Sequence, residues 1–515
     1  MSLEETSYEV IAGPSLESLI AEIEATFDSG DHASAGQLIK RNLIEAWFGF
    51  RPEHLRQMLS TIANSNMASR PFAVGMMNFF AASAGSGDDD GSALAALSDQ
   101  TVMSPVFSQI AKATALRISG RSLDALRQFD RLDPGSQTVQ TVFDTQGGWQ
   151  LLLAVQSGVT AMLAGEFSRA LTHFDAAKLH PLRGSLEFLT RDAYIKSAVI
   201  HCTFGDVKTA RRDLAQASRL PRSTSWVKPL LDAEAAMVEA LLSADAAEAI
   251  NQFLDIPLRD VGELWPFYVV IMHRIYRRAD RLHEFNTHLT RLEQLSFPYE
   301  KGVGFSGSVF RLTRAAMSID RRDFEAARWF VSETDDSFTG SKILSAAIDL
   351  YDAQPQRAID SVLRFSLHSN ALRQCELWQQ FILAHAYVSL DRPDEARVCL
   401  QATAQRCGPI LASDLEFISP ELNDFASATT GWPHHAMPRA RAAATPLKEQ
   451  PAGLTSRERE ILRLLARGTS RTEIAEELFI SINTLKTHLK AIYKKMGVSN
   501  RDAALLRAKS EGWLF

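Results

Sequence analysis

Four lysines, Lys486, Lys490, Lys494 and Lys495, are interleaved with Asn483, Thr484 and Thr487 within fifteen residues near the carboxyl end of the sequence. Side chains of these types contact nucleic acid: ammonium groups neutralise phosphates, and hydroxyl and amide groups hydrogen-bond to phosphates and base edges. The apolar residues between them fix their geometry. Ile482, Leu485, Leu489, Ile492 and Met496 recur at steps of three, four, three and four, which forms one apolar stripe on a helix. The helical step then puts Asn483, Thr487, Lys490 and Lys494 on the opposite face, with Lys486 on one flank and Thr484 and Lys495 on the other. A basic, hydroxyl-rich ridge about four turns long faces outward, and a major groove is wide enough to admit it. His488 stands at the edge of the stripe, where packing and DNA contact are equally open to it.

The neighbouring residues say how this helix is held. Thr455 with Glu458, and Ser470 with Glu473, have the spacing of capping boxes, while Ser481 and Ser499 are candidate caps for two further helices. Glu458 is read as a cap, with orientation of Arg501 as a second role. Gly468, Gly497 and Gly512 stand where helices end. Four short helices are expected, at roughly 456–467, 471–478, 482–496 and 500–511. Only Phe479, Ile480 and Ser481 join the second to the third, so the two must cross sharply, as in a helix-turn-helix whose second member reads DNA.

These residues resemble a known family. Leu454-Thr455-Ser456-Arg457-Glu458-Arg459-Glu460, Gly468-Thr469-Ser470, Glu473-Ile474-Ala475, Ile480-Ser481, Thr484-Leu485-Lys486-Thr487-His488, Ile492-Tyr493-Lys494-Lys495-Met496-Gly497-Val498 and Arg501 are similar to the LuxR/NarL-type DNA-binding domain nearly end to end. The resemblance implies that Lys486, Thr487 and Lys490 meet base edges, that Thr484, Lys494 and Lys495 lie near phosphates, and that the last helix carries a dimer contact. Leu485 and Arg471 stand where the family usually has Val and Asn, and Arg471 would add a phosphate contact. The candidate DNA-binding set is Ser470, Arg471, Asn483, Thr484, Lys486, Thr487, Lys490, Lys494 and Lys495.

At 515 residues the chain is too long for one core and is expected to hold two or more domains. Its net charge of -6 conceals an asymmetry. Residues 451 to 515 hold twelve Lys or Arg against seven Asp or Glu, which is +5, and leave -11 on the remainder. A basic end on an acidic body suits a DNA-binding module joined to a part that does not bind DNA. The amino end lacks a basic and apolar leader, so a cytoplasmic protein is expected. The uncharged stretch from Thr145 to Gly165 carries Gly, Gln, Ser and Thr throughout and reads as buried helix rather than as a membrane span. Cys202, Cys375, Cys399 and Cys407 show no paired spacing and read as reduced core residues, with a redox pair as the alternative.

From about residue 15 to 425 the pattern is helical and repeats. A turn residue is followed five positions later by a small one that opens a helix: Gly30/Ala35, Gly120/Ala125, Gly165/Ala170, Gly205/Ala210, Ala244/Ala249, Arg322/Ala327, Ala353/Ala358 and Asp391/Ala396, with Asp280/Phe285 as a weaker example. The spacing from 120 to 391 averages about 39 residues, one helix pair per unit. This pattern resembles tetratricopeptide-like (TPR-like) repeats, particularly those of regulators related to the maltose activator MalT. Such pairs stack into a solenoid because none buries its apolar face alone, and a solenoid's inner surface suits a protein, peptide or small-molecule effector. Trp265, Phe267, Tyr268, His273, Arg274, Tyr276 and Arg277 are candidate pocket residues, although a core helix with a solvated edge is the plainer reading. The tract Gly85 to Gly91 reads as a loop between helices; Leu97 stands where a calcium loop needs Glu.

The proline-rich and alanine-rich stretch 428–452 is expected to be a linker. Arg439 and Arg441 within it are read as solvated, with contact to DNA phosphates as the alternative, and His434-His435 lacks partners at metal-ligand spacing. No GxxxxGK[ST] occurs, since Gly302 to Gly307 lacks the lysine, so the ATPase domain of MalT-type proteins is expected to be missing. No GxSxG or HExxH motif gives catalysis a seat, and no cofactor is assigned. The expected fold is all-α: a TPR-like α-solenoid over 1–427, the linker, and a four-helix LuxR-type helix-turn-helix domain over 453–515. The expected protein is a bacterial, dimeric, sequence-specific transcription regulator that binds double-stranded DNA and senses an effector on its repeats. A protein-interaction scaffold in which the DNA-binding domain is secondary is the alternative.

Overall fold

Among the described residues, eight helix pairs follow one another between residues 105 and 407, and every turn within a pair falls at one of the residues singled out by the repeat pattern. The computed structural model describes residues 10–11, 14–64, 69–83, 105–132, 148–366, 372–408, 410, 414, 418–430, 432, 456–466, 470–478 and 480–510. The pairs begin with Pro105–Ile118 and Ser122–Phe129 and end with Arg373–Ser389 and Pro393–Cys407. Gly120, Gly165, Asp280, Arg322, Ala353 and Asp391 make their turns with left-handed backbones, φ running from 55° to 94°. In all six, the next residue's N–H donates to the carbonyl five positions earlier at 2.9 Å, from Arg121 to Leu116 through to Arg392 to Tyr387. That closure satisfies carbonyls left over at the end of the first helix and aims the chain back along it. Gly205 works differently: a Cβ there would stand 2.5 Å from Nδ1 of His201, so a side chain has no room.

The residues five positions past each turn sit where the two helices of a pair meet. Ala125, Ala170, Ala210, Ala249, Ala327, Ala358 and Ala396 are completely buried, as is Phe285 in the weaker example. A small side chain there lets the second helix of a pair lie close against the first. The first helices also pack on one another along the row, from Trp149–Ala164 to Arg373–Ser389. The row turns back on itself, because Gly304–Asp320 packs against Trp149–Ala164, with Ser306 Oγ donating to the Leu163 carbonyl at 3.0 Å. Arg117 Nε donates to Glu263 Oε2 at 2.9 Å across a similar sequence gap. At this closure Phe167, Phe204, Phe267, Phe305 and Phe338 form a ring cluster, with centroids 4.5–6.3 Å apart. Each such buried ring contributes about 1.5–3 kcal/mol, before the smaller gain from edge-to-face contact.

Ahead of this row, Leu16–Asp28, His32–Arg41, Leu43–Gly49, Pro52–Ala63 and Arg70–Ser83 close around Ile23, Ile39, Leu55, Leu59 and Ile62. The strands Val10–Ile11 and Leu182–Arg183, two residues each, pair in parallel, and the fold is otherwise all-α among the described residues. The uncharged stretch forms Trp149–Ala164, buried along most of its length. No helix among the described residues is long and apolar enough to cross a membrane. Cys202 and Cys375 are buried, which pushes their thiols up to about 12, as fits packing residues rather than nucleophiles. The tract Gly85 to Gly91 and the linker residues His434, His435, Arg439 and Arg441 lie outside the described residues.

Candidate nucleic-acid interface

The carboxyl-terminal helices run Ser456–Ala466, Arg471–Glu477, Ile482–Lys495 and Arg501–Ser510. Ser470 forms a capping box: its hydroxyl accepts the Glu473 N–H, and Glu473 Oε2 accepts the Ser470 N–H at 2.8 Å. That hydrogen bond holds the exposed Glu473 carboxyl below the usual glutamate range. Ser481 caps the third helix by accepting the Thr484 N–H at 3.0 Å, and its hydroxyl meets the Thr484 hydroxyl at 2.8 Å. Gly497 ends that helix at φ 60°, and Val498 N–H donates to the Tyr493 carbonyl at 3.0 Å. The last cap differs from expectation. Asn500, rather than Ser499, accepts the Ala503 N–H at 2.8 Å, since the helix begins at Arg501. Thr455, Gly468 and Gly512 lie outside the described residues.

Leu485, Leu489, Ile492 and Met496 enter one core with Ile461, Leu462, Leu465, Ile474, Ala504 and Ala508. Ile482, expected in the same stripe, is 44% exposed. A helical side chain lies over the turn before its own Cα, and at the first helical position that places it beyond the core. Asn483, Thr484, Lys486, Thr487, Lys490, Lys494 and Lys495 are all exposed, as are Ser470 and Arg471, while His488 is half-buried. The Ile482–Lys495 helix thus presents lysines, hydroxyls and one amide on a continuous outer face that has no carboxylate of its own. Thr487 Oγ1 donates to the Asn483 carbonyl at 3.1 Å, which leaves its lone pairs outward.

Lys495 differs from the other lysines in this helix. Its Nζ sits 2.6 Å from Oε2 of Glu458, whose side chain is nearly inaccessible, so it ties the third helix to the first. Three arginines make further ties. Arg457 donates to the Leu478 carbonyl, Arg501 to the Leu465 carbonyl at 2.8 Å and Arg507 to the Met496 carbonyl at 2.6 Å. Each arginine serves a carbonyl at or next to another helix's end, where unsatisfied acceptors gather. Sequence spacing does not reveal these pairs, because each joins separate helices. Of the candidate pocket residues, Trp265, Phe267, Tyr268 and Tyr276 are buried in the main core, whereas His273, Arg274 and Arg277 line a cavity.

Residues 452–508 match the family model of bacterial regulatory proteins, luxR family. The transcriptional regulatory protein DesR of Bacillus subtilis is 43% identical over 60 residues, which are 12% of this chain and 30% of that protein. The CsgBAC operon transcriptional regulatory protein of Escherichia coli is 56% identical over 52 residues, 10% of this chain and 24% of its own length. The transcriptional regulatory protein LiaR of Bacillus subtilis is 53% identical over 55 residues, 11% and 26% respectively. The chain therefore spans less than a third of the length of these relatives. An all-α body precedes a carboxyl-terminal helix-turn-helix domain of the luxR type.

Proposed function

We propose that the chain is a sequence-specific transcription regulator that acts in the bacterial cytoplasm as a homodimer on double-stranded DNA. The observation that carries this reading is the lysine-rich and hydroxyl-rich outer face of Ile482–Lys495, free of carboxylates and held on a four-helix core. Proteins named as transcriptional regulators are similar to the chain over 52 to 60 residues. In this reading Lys486, Thr487 and Lys490 meet base edges in the major groove, and Asn483, Thr484, Lys494, Ser470 and Arg471 engage the flanking backbone. Lys495 acts mainly by positioning. Two copies occupy half-sites about one DNA turn apart. The helical body, read as a TPR-like sensor, responds to an effector and changes how the DNA-binding segments are presented. The test is selection of genomic fragments by the purified full-length chain, beside a Lys486→Ala/Lys490→Ala variant at one fixed salt concentration. A shared two-fold motif, recovered by the parent and lost by the variant, is expected. Equal, sequence-blind recovery by both would refute the assignment.

A further inference from the structure

The inner helices of the last four pairs do not fill the space between them. Trp265–Arg278, Gly304–Asp320, Thr339–Tyr351 and Arg373–Ser389 line a half-open cavity of about 210 Å³. Its walls are largely apolar, with Phe305, Leu312, Phe338, Ile343, Trp378 and Phe381 prominent. Close-packed interiors rarely keep empty space of this size, and even an apolar cavity of about 150 Å³ takes up a benzene-sized molecule. One part of the lining is polar. Arg274 donates to the Cys202 and Thr203 carbonyls at 3.0 and 2.8 Å, and Arg277 donates to Asp320 Oδ1 at 2.9 Å. The second oxygen of the same carboxylate, Asp320 Oδ2, is buried and has no hydrogen-bond partner. That oxygen has almost no surface open to a molecule the size of water, so the charged part of the lining is engaged or shielded within the protein and the apolar walls are the main surface a ligand meets. A third part of the wall, Ile418, Ser419 and Leu422, lies at the start of Pro420–Thr430, the last helix described before the DNA-binding segment.

We infer that this cavity is the effector site, and that its ligand is a small, neutral, mostly apolar molecule, larger than one six-membered ring. The inference rests on the reading of the helical body as a sensor and deepens it. The apolar walls supply affinity through buried area, whereas a charged ligand would lose its hydration there without repayment. Contact with Leu422 and its neighbours brings the ligand against the segment that leads to the DNA-binding domain.

The test uses the full-length chain and 2-naphthol as probe, followed by its fluorescence without DNA. Saturable binding of one naphthol per chain is expected. Ala316→Phe and Ala347→Phe, on different helices, each fill the cavity and should abolish binding while the helical circular dichroism is kept. The Lys486→Ala/Lys490→Ala variant should bind naphthol like the parent, so a failure of the DNA reading would leave this result standing. Absence of saturable naphthol binding, or binding by both filled variants equal to that of the parent, would overturn the inference. The two filled variants lie on different helices, so the test stands if one of them fails to fold.

Discussion

Lys490 and Lys495 lie on one helix, carry the same charge and are both exposed, yet the structure gives them different work. Lys490→Ala removes a groove contact in the proposed reading. Its operator affinity should fall and, if the contact is to phosphate, the slope of log affinity against log salt should drop by about one, while unfolding is unchanged. Lys495→Ala takes a cation from Glu458, which is 4% exposed. Because Lys495 is itself a third exposed, the cost is discounted to about 1–2 kcal/mol, seen as faster hydrogen exchange in Ser456–Ala466. Adding Glu458→Gln should recover part of that loss, since it removes the carboxylate left behind. A second residue-scale prediction concerns His201, whose pKa is pushed down to about 4 by burial and by nearby Lys178. The folded value lies below the ordinary 6.5, so as pH falls the unfolded chain takes up the proton first. Stability is therefore complete above about pH 6.5 and is lost as pH falls toward 4, by at most about 3 kcal/mol. Denaturant titrations at pH 7 and pH 4.5 should show a smaller difference for His201→Gln than for the parent chain.

At the scale of elements, the turns within pairs were legible in the sequence because their physics is local. A turn residue followed five positions later by a small one marked seven of the eight described pairs, including those turned left-handed by Arg322, Ala353 and Asp391, while the pair turned by Asp280 carries the bulkier Phe285. These four are exposed non-glycine residues in a backbone region that costs L-residues roughly 1 kcal/mol. Arg322→Gly and Ala353→Gly should each therefore raise stability by about 0.5–1 kcal/mol in urea titration, less the entropy that glycine returns to the unfolded chain. Ala327→Leu should lower it by about 1–3 kcal/mol, because no space exists beside a completely buried methyl group where two helices cross. The outward lysine face was legible for the same reason, as helical periodicity alone sets it. Ile482 was misjudged because periodicity knows nothing of where the core ends. The Glu458–Lys495 tie and the three arginine-to-carbonyl bonds were hidden, since each joins separate helices through tertiary packing. The cavity lining draws on residues from Phe204 to Leu422, a set that no local pattern assembles.

At the scale of the whole molecule the question is how a ligand among the inner helices reaches a DNA-binding face on another part of the chain. Leu422 gives the structural reason to expect a connection: it belongs to Pro420–Thr430 and also lines the cavity. A ligand shifts an equilibrium only by the difference in its affinity for the two states, so naphthol must bind one arrangement of that helix better than another if it is to affect DNA binding. Such coupling is reciprocal. If saturating 2-naphthol changes operator affinity by some factor, saturating operator must change naphthol affinity by the same factor; couplings of this kind typically run from about 5-fold to 150-fold. Both titrations are made on the full-length chain at one salt concentration, with the operator recovered by fragment selection. Equal factors in the two directions, abolished in Ala347→Phe, are expected. Naphthol binding that leaves operator affinity untouched would mean that the cavity is occupied without reaching the DNA-binding segment, and Pro420–Thr430 would then be only a lid on the core.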